Sequence, residues 1–297
     1  MRYQFIEDHR EEFVVTHMCR VLDVSPSGYY AWRKRPFSQR EMANQELLKE
    51  IKAVHEKSNG AYGSPRIYHE LKDKIACSEN RVARLMHKHD IAAKQKKRYK
   101  RTTKANSSHP VAPNRLDGDF TATAPNQKWT TDITYIPTLE GWLYLAVVLD
   151  LFSRRIVGWA MSAHMTSALV IEALQMASQR RQPWPGLLHH SDRGSQYTSQ
   201  PYQQLLKNHR FIISMSGTGN CYDNAPTESF FGSLKTEHVH HVLYETRTQA
   251  RTDIFFYIEA FYNRERRHST LGYVSPLAYE AAYYQSQHQL ALTECPS

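Results

Sequence analysis

Three carboxylates stand where an ionised acid needs a partner. Asp132 lies in KWTTDITYI, where Trp129, Thr131, Ile133 and Tyr135 alternate with Thr130, Asp132, Thr134 and Ile136, the period of a β-strand. An isolated Asp facing a helix layer is costly unless it is paired or bound to a cation. Asp192 ends the apolar run LLHHSD, and sites in mixed α/β sheets lie outside the carboxyl ends of such strands. Glu228 follows Asn224 and Pro226 in NAPTESFFGSLK. Asp223 or Asn224 can cap that helix, so Glu228 sits near the positive end of its dipole. Taken singly, Asp192 reads more readily as a turn residue and Glu228 as an ordinary first-turn acid. Together, two strands and a helix could deliver three carboxylates to one point, where they could share a metal.

Charge along the chain says what such a site would act on. The 297 residues carry a net charge of +9, and residues 1–115 hold 24 Lys and Arg against 13 Asp and Glu, while residues 116–297 hold 14 against 16. A basic first third on a near-neutral body suits a protein that holds a polyanion with one part and acts on it with the other. The surplus is concentrated in KQKKRYKRTTK, Lys94 to Lys104, with seven basic residues and no acid. Cys19, Cys77, Cys221 and Cys295 form no CxxC pair, which points to reduced thiols with neither a disulfide framework nor a zinc knuckle. No apolar run approaches a membrane span and the amino terminus lacks a signal-peptide pattern, so a cytoplasmic chain is expected.

The elements that must position the acids follow from periodicity and caps. Met18, Val21 and Leu22 recur at helical spacing, and Ser25 and Pro26 open a second helix that ends in Arg33, Lys34 and Arg35. This resembles a helix-turn-helix whose basic end holds phosphates, although an ordinary helical hairpin has the same pattern. A linking helix over 41–56 is expected next, then two helices capped by Ser64 and Ser78. A basic linker follows, with Lys96, Lys97, Arg98, Lys100 and Arg101 along a nucleic-acid backbone. From Gln127 three strands form an antiparallel meander; then come a helix over 166–180, the strand ending at Asp192, a helix over 199–208 and the strand FIISMS. The order βββαβαβα predicts an α/β fold, a ribonuclease H-like mixed sheet flanked by helices and preceded by a small helical DNA-binding module. The expected parts are a helical region over 1–93, the basic linker over 94–126, the catalytic domain over 127–285 and a tail over 286–297.

Asp150, in VVLDLFSRR, is a rival acid. If the first two strands pair around Leu139-Glu140, position 147 faces 132 and Asp150 points to the opposite face, which excludes it as a ligand. His238, His240 and His241 are poorly spaced for a metal on a helix and read as exposed. Arg264, Arg266, Arg267 and His268 in YNRERRHSTLGY either clasp DNA or brace the domain; the residues do not separate the two.

The acids, with 35 residues between Asp192 and Glu228, and the motifs TDITYI, HSDRGSQY, NAPTESFFGSLK and YNRERRHSTLGYVSP resemble the DDE transposases of insertion sequences. More narrowly, the chain resembles the second-frame (OrfB) transposases of two-frame bacterial elements, relatives of retroviral integrases. The resemblance implies that Asp132, Asp192 and Glu228 are catalytic and hold two Mg²⁺ (or Mn²⁺) ions about 3.5 to 4 Å apart. Water would free a 3′ hydroxyl at an element end, and that hydroxyl would attack a second phosphodiester with no covalent protein–DNA intermediate. Lys235, two helical turns from Glu228 on the same face, would contact DNA near the cut, with Arg193 and Asn224 beside the phosphate. DNA is the implied partner, a homo-oligomer on DNA the implied assembly and the upstream-frame (OrfA-type) protein a further partner; no membrane is involved. With no sustained heptad, the chain reads as the second frame alone. A two-metal nuclease that cuts without joining and a decayed DNA-binding regulator are the alternatives.

Overall fold

The computed structural model describes residues 1–35, 38–95, 112–217 and 224–293, with side chains through residue 291. Lys96, Lys97, Arg98, Lys100 and Arg101 lie outside these residues. Two small helical units come first. Helices α1 (Arg2–Asp8), α2 (Val15–Val21) and α3 (Pro26–Lys34) close over Ile6, Met18, Cys19 and Tyr29. Ser25 caps α3 by accepting from the Gly28 amide at 2.9 Å, as the Ser-Pro pair predicts. Helices α4 (Gln39–Lys57), α5 (Ser64–Leu71) and α6 (Glu79–Lys88) share a second core that includes Leu47, Ile51, Ile67, Leu71, Val82 and Leu85. Ser38 and Ser78 cap α4 and α6. Ser64 does not cap α5: Gly63 takes that position, and Pro65 in the first turn leaves one fewer amide to satisfy.

The third unit is a five-stranded mixed sheet. Strands β1 (Lys128–Thr138), β2 (Gly141–Asp150) and β3 (Ile156–Ser162) form the antiparallel meander; helix α7 (Ser167–Arg181), strand β4 (Leu188–Ser191), helices α8 (Ser195–Thr198) and α9 (Gln200–Asn208) and strand β5 (Ile212–Met215) follow. The order is β3-β2-β1-β4-β5, with β4 parallel to β1 and β5 parallel to β4. Alternation along β1 sends Trp129 and Ile133 into the core shared with α7 and α9, and Ile136 into the opposite core. That second core holds helices α10 (Ala225–Glu237) and α11 (Arg247–Phe256), and helix α12 (Pro276–Thr293) ends the described chain. Gly158 lets α7 approach β3 closely, since a Cβ there would meet the Ala173 carbonyl at 2.2 Å. Residues 112–126, expected to belong to a linker, are anchored to the sheet: Leu116 is buried, and its amide and that of Arg115 donate to Ser214 Oγ at 3.1 and 2.9 Å. Helix α12 likewise continues past residue 285. Among the described residues no helix is long and apolar enough to cross a membrane.

A partly buried network of ion pairs and hydrogen bonds joins the second helical unit to the sheet domain. Glu237, at the end of α10, accepts from Arg266 Nε at 2.7 Å and Nη2 at 2.5 Å and from the Tyr257 hydroxyl at 2.9 Å. Arg66 of α5 lies 3.7 Å from the same carboxylate and donates to the Arg267 carbonyl at 3.0 Å. Arg267 in turn pairs with Glu70 of α5 at 2.5 Å, and Lys94 donates to the Glu237 carbonyl at 3.0 Å. Arg266 and Arg267 therefore brace the fold, which decides between the two readings of YNRERRHSTLGY for these residues. His238 lies 2.7 Å from Asp253 and is half-buried, not exposed.

Two buried histidines make stability depend on acid. Burial pushes His189 and His268 down to about 3, so both stay neutral in the folded chain. The unfolded chain takes up those protons near about pH 6.5, so their contribution is complete above that pH and is lost as pH falls towards about 3. Melting temperature is expected to fall steadily from about pH 6.5 to about pH 4.5, and less steeply in His189→Asn; a flat wild-type profile over that window contradicts this account.

Candidate active site

The short length of β4 creates the site. It pairs with β1 only over Lys128–Thr130, so beyond Thr130 no strand among the described residues flanks β1 on that side. Gln127 O bonds to the Leu188 amide of β4, whereas Lys128 O bonds to the Leu151 amide beyond β2, so odd-numbered residues of β1 aim their backbone groups at the vacated side. Two of these groups are satisfied by side chains of the predicted site. Asn224 Nδ2 donates to Thr131 O at 3.0 Å, and the Ile133 amide donates to Asp132 Oδ1 at 2.8 Å. Open backbone is thereby tied to the carboxylate that sequence singled out.

Helix α10 crosses the same face of β1, fixed by the Thr130 and Thr227 hydroxyls at 2.7 Å. This brings Glu228, one residue on, into electrostatic reach of Asp132. Asp192 follows the last residue of β4 and accepts from the Gly194 amide at 2.8 Å, the local turn bond expected of an Asp there. Asp132 is pushed up to about 8, first by loss of water around it, then by the Asp192 charge and then by that of Glu228; the Ile133 amide and the Lys235 ammonium oppose the rise. Asp192 is also raised, by loss of water around it and against its Gly194 bond, although part of its surface is exposed. Loss of water lowers Lys235 and the nearby Asp132 charge opposes that shift. Buried Tyr197, which lies 3.4 Å from Thr131 Oγ1, is raised well above its ordinary value by burial and then by Asp132 and Asp192.

Asp132 on β1 thus feels Asp192 from the end of β4 and Glu228 and Lys235 from α10. Among the described residues no group of three His, Cys, Asp or Glu side chains stands in an arrangement that could hold a metal ion. The donor set nevertheless suits a hard cation: every group is a carboxylate, and their mutual repulsion is what a divalent charge would relieve. Asp150 lies elsewhere. It pairs with Trp129 while Asp132 pairs with Val147, and its buried carboxylate accepts from the Asn126 and Phe152 amides at 2.8 and 3.0 Å, with Arg181 at 3.4 Å.

The remaining predicted contacts are distributed differently. Asn224, expected beside a phosphate, is buried and commits its amide to Thr131; it occupies the cap position of α10, but its side chain does not cap the helix. Arg193 Nε donates to the Ser216 carbonyl at 2.6 Å. Arg33, Lys34 and Arg35 are exposed at the end of α3, with Arg33 3.4 Å from Glu7, and belong to the first helical unit. Tyr135, which strand alternation alone does not single out, has the Lys235 ammonium 4.6 Å from its ring centroid.

Models described as integrase core domain match residues 122–221 and 228–283, and one described as an HTH-like domain matches residues 42–99. The last falls on α4–α6, one helical unit later than the α2–α3 pair that the sequence suggested. The chain is 45% identical over 269 residues to the insertion element IS600 uncharacterized 31 kDa protein of Shigella sonnei, covering 90% of this chain and 99% of that one. It is 44% identical over 283 residues to transposase InsF for insertion sequence IS3A of Escherichia coli (strain K12), covering 94% and 98%. Among solved structures it is similar to a chain of the simian T-cell lymphotropic virus intasome in complex with PP2A regulatory subunit B56 gamma, at 15% identity, 77% and 74% coverage and a TM-score of 0.46. A ribonuclease H-like sheet, two integrase-core matches and 44% identity along nearly the whole length make the chain a member of the IS3-type insertion-sequence transposases, enzymes with an integrase catalytic core.

Proposed function

We propose that this transposase cuts and joins DNA at the ends of its own insertion sequence through Asp132, Asp192 and Glu228. The observation that carries the reading is Asp132 at the open edge of β1, where loss of water first, and then the charges of Asp192 and Glu228, push its carboxyl up to about 8. Their oxygens would hold Mg²⁺ or Mn²⁺, which when bound supplies Lewis-acid activation of an attacking oxygen and neutralises charge on the departing one. The chain's own residues do the rest. Asn224 fixes the β1 backbone beside Asp132, α10 sets Glu228, and the Lys235 ammonium stands ready for a phosphate. Exposed Arg33, Lys34 and Arg35 on α3 and the basic run from Lys96 to Arg101 would hold the DNA backbone, in a salt-dependent way. Within the helical unit matched as HTH-like, α6 presents exposed Arg84 and Lys88 and is the helix assigned to groove contact. Joining two ends implies at least two copies on DNA, with an upstream-frame (OrfA-type) protein as a further partner.

The test uses the purified chain and labelled DNA carrying the element's own ends. Cut and joined products are expected with Mg²⁺, none after chelation, and recovery when Mg²⁺ or Mn²⁺ is restored. Products that form equally in chelator refute the metal reading. Cleavage without joining favours the nuclease, and binding without chemistry under every condition favours the regulator.

A further inference from the structure

Near the Lys235 ammonium lie two large aromatic rings that the fold leaves largely uncovered. Tyr135, three residues beyond Asp132, is 55% exposed, and Trp142, near the start of β2, is 49% exposed. Their rings meet edge to face with centroids 4.9 Å apart. Single exposed aromatics are commonplace and call for no explanation. This pair differs because the Lys235 ammonium lies 4.6 Å from the Tyr135 centroid and also feels the Asp132 charge, so one cation links the rings to the acids. Tyr135 stands on the stretch of β1 that β4 leaves unflanked. An aromatic face next to a cation matches the chemistry of a nucleotide, whose base stacks while its phosphate meets the charge.

We propose that Tyr135 and Trp142, with Lys235, form a stacking platform for an unpaired nucleobase of the DNA strand brought to the acids. The proposal rests on the reading that DNA is the substrate. Only a base freed from its partner offers a face to stack, so the platform would favour an opened DNA end over an intact duplex. Charge complementarity selects this occupant over a second copy of the chain, because the cation beside the rings suits a phosphate.

The probe is a duplex with a short unpaired 3′ overhang carrying 2-aminopurine, compared with the same duplex made blunt, bound to the full chain in chelator so that nothing is cut. The wild type is expected to quench the overhang fluorescence. Tyr135→Ala and Trp142→Ala should each abolish the quench and weaken overhang binding roughly tenfold, equivalent to about 1.4 kcal/mol. Tyr135→Phe should retain both, and blunt-duplex binding and melting temperature should not change in any variant. Overhang binding unaffected by either alanine overturns the proposal, as does an equal loss for overhang and blunt DNA. Loss of concentration-dependent self-association in Trp142→Ala, with DNA binding intact, also overturns it and assigns the rings to a second copy. A wild type that quenches the base yet neither cuts nor joins with Mg²⁺ leaves the platform standing and counts against the catalytic reading. Cutting and joining without a quench does the reverse.

Discussion

Asp132→Asn is expected to lower strand cleavage and joining by at least roughly a thousandfold while leaving the chain folded and bound to DNA. Asparagine matches aspartate in shape and keeps an oxygen to accept from the Ile133 amide, now at 2.8 Å, so the local backbone survives. What disappears is the negative charge that a cation would need. The same change relieves repulsion from Asp192 and Glu228, which together with burial pushes Asp132 up to about 8. Melting in chelator should therefore be no lower than in wild type, and Mg²⁺ should raise it less. Product formation within about tenfold of wild type would remove Asp132 from the catalytic set.

Glu237→Ala is expected to cost about 3–5 kcal/mol, the largest stability loss predicted for a single side chain outside the acid set. Glu237 receives Arg266 at two atoms and the Tyr257 hydroxyl, with Arg66 3.7 Å away. Without the carboxylate, buried Arg266 and largely buried Arg66 face each other with no counter-charge, and two units of the fold lose their shared anchor. Denaturant unfolding should shift to a lower midpoint and become less cooperative, because the second helical unit then docks through fewer contacts. An unchanged, single transition would show that the network contributes little to stability. Glu237→Gln, which can still accept a hydrogen bond, should fall between the two.

The order of elements was legible because alternation and caps are local properties. The period of two along KWTTDITYI separates the Trp129 face from the Asp132 face, and the same parity puts Asp150 opposite Trp129. Ser25 and Ser78 cap as their positions suggest. Less legible was anything fixed by where a strand stops in space. That β4 leaves β1 after three pairs is not written in either strand, so the role of Asn224 as a substitute ladder donor could not be read beforehand. Nor could sequence tell that Arg266 and Arg267 are engaged by Glu237 and Glu70, since those partners lie 29 and 197 positions away. The helix-turn-helix was placed on α2–α3 because Ser-Pro and a basic ending are vivid local signals. The HTH-like match covers α4–α6, whose cues are plainer.

The vacated side of β1 has a consequence for how the chain behaves in a crowd. An unflanked strand next to the core is a template on which another molecule can add a strand. Here Asn224 occupies the Thr131 carbonyl and Asp132 occupies the Ile133 amide, so two of the groups an added strand would need are already taken. The side chains placed for chemistry therefore also keep the sheet from growing by strand addition.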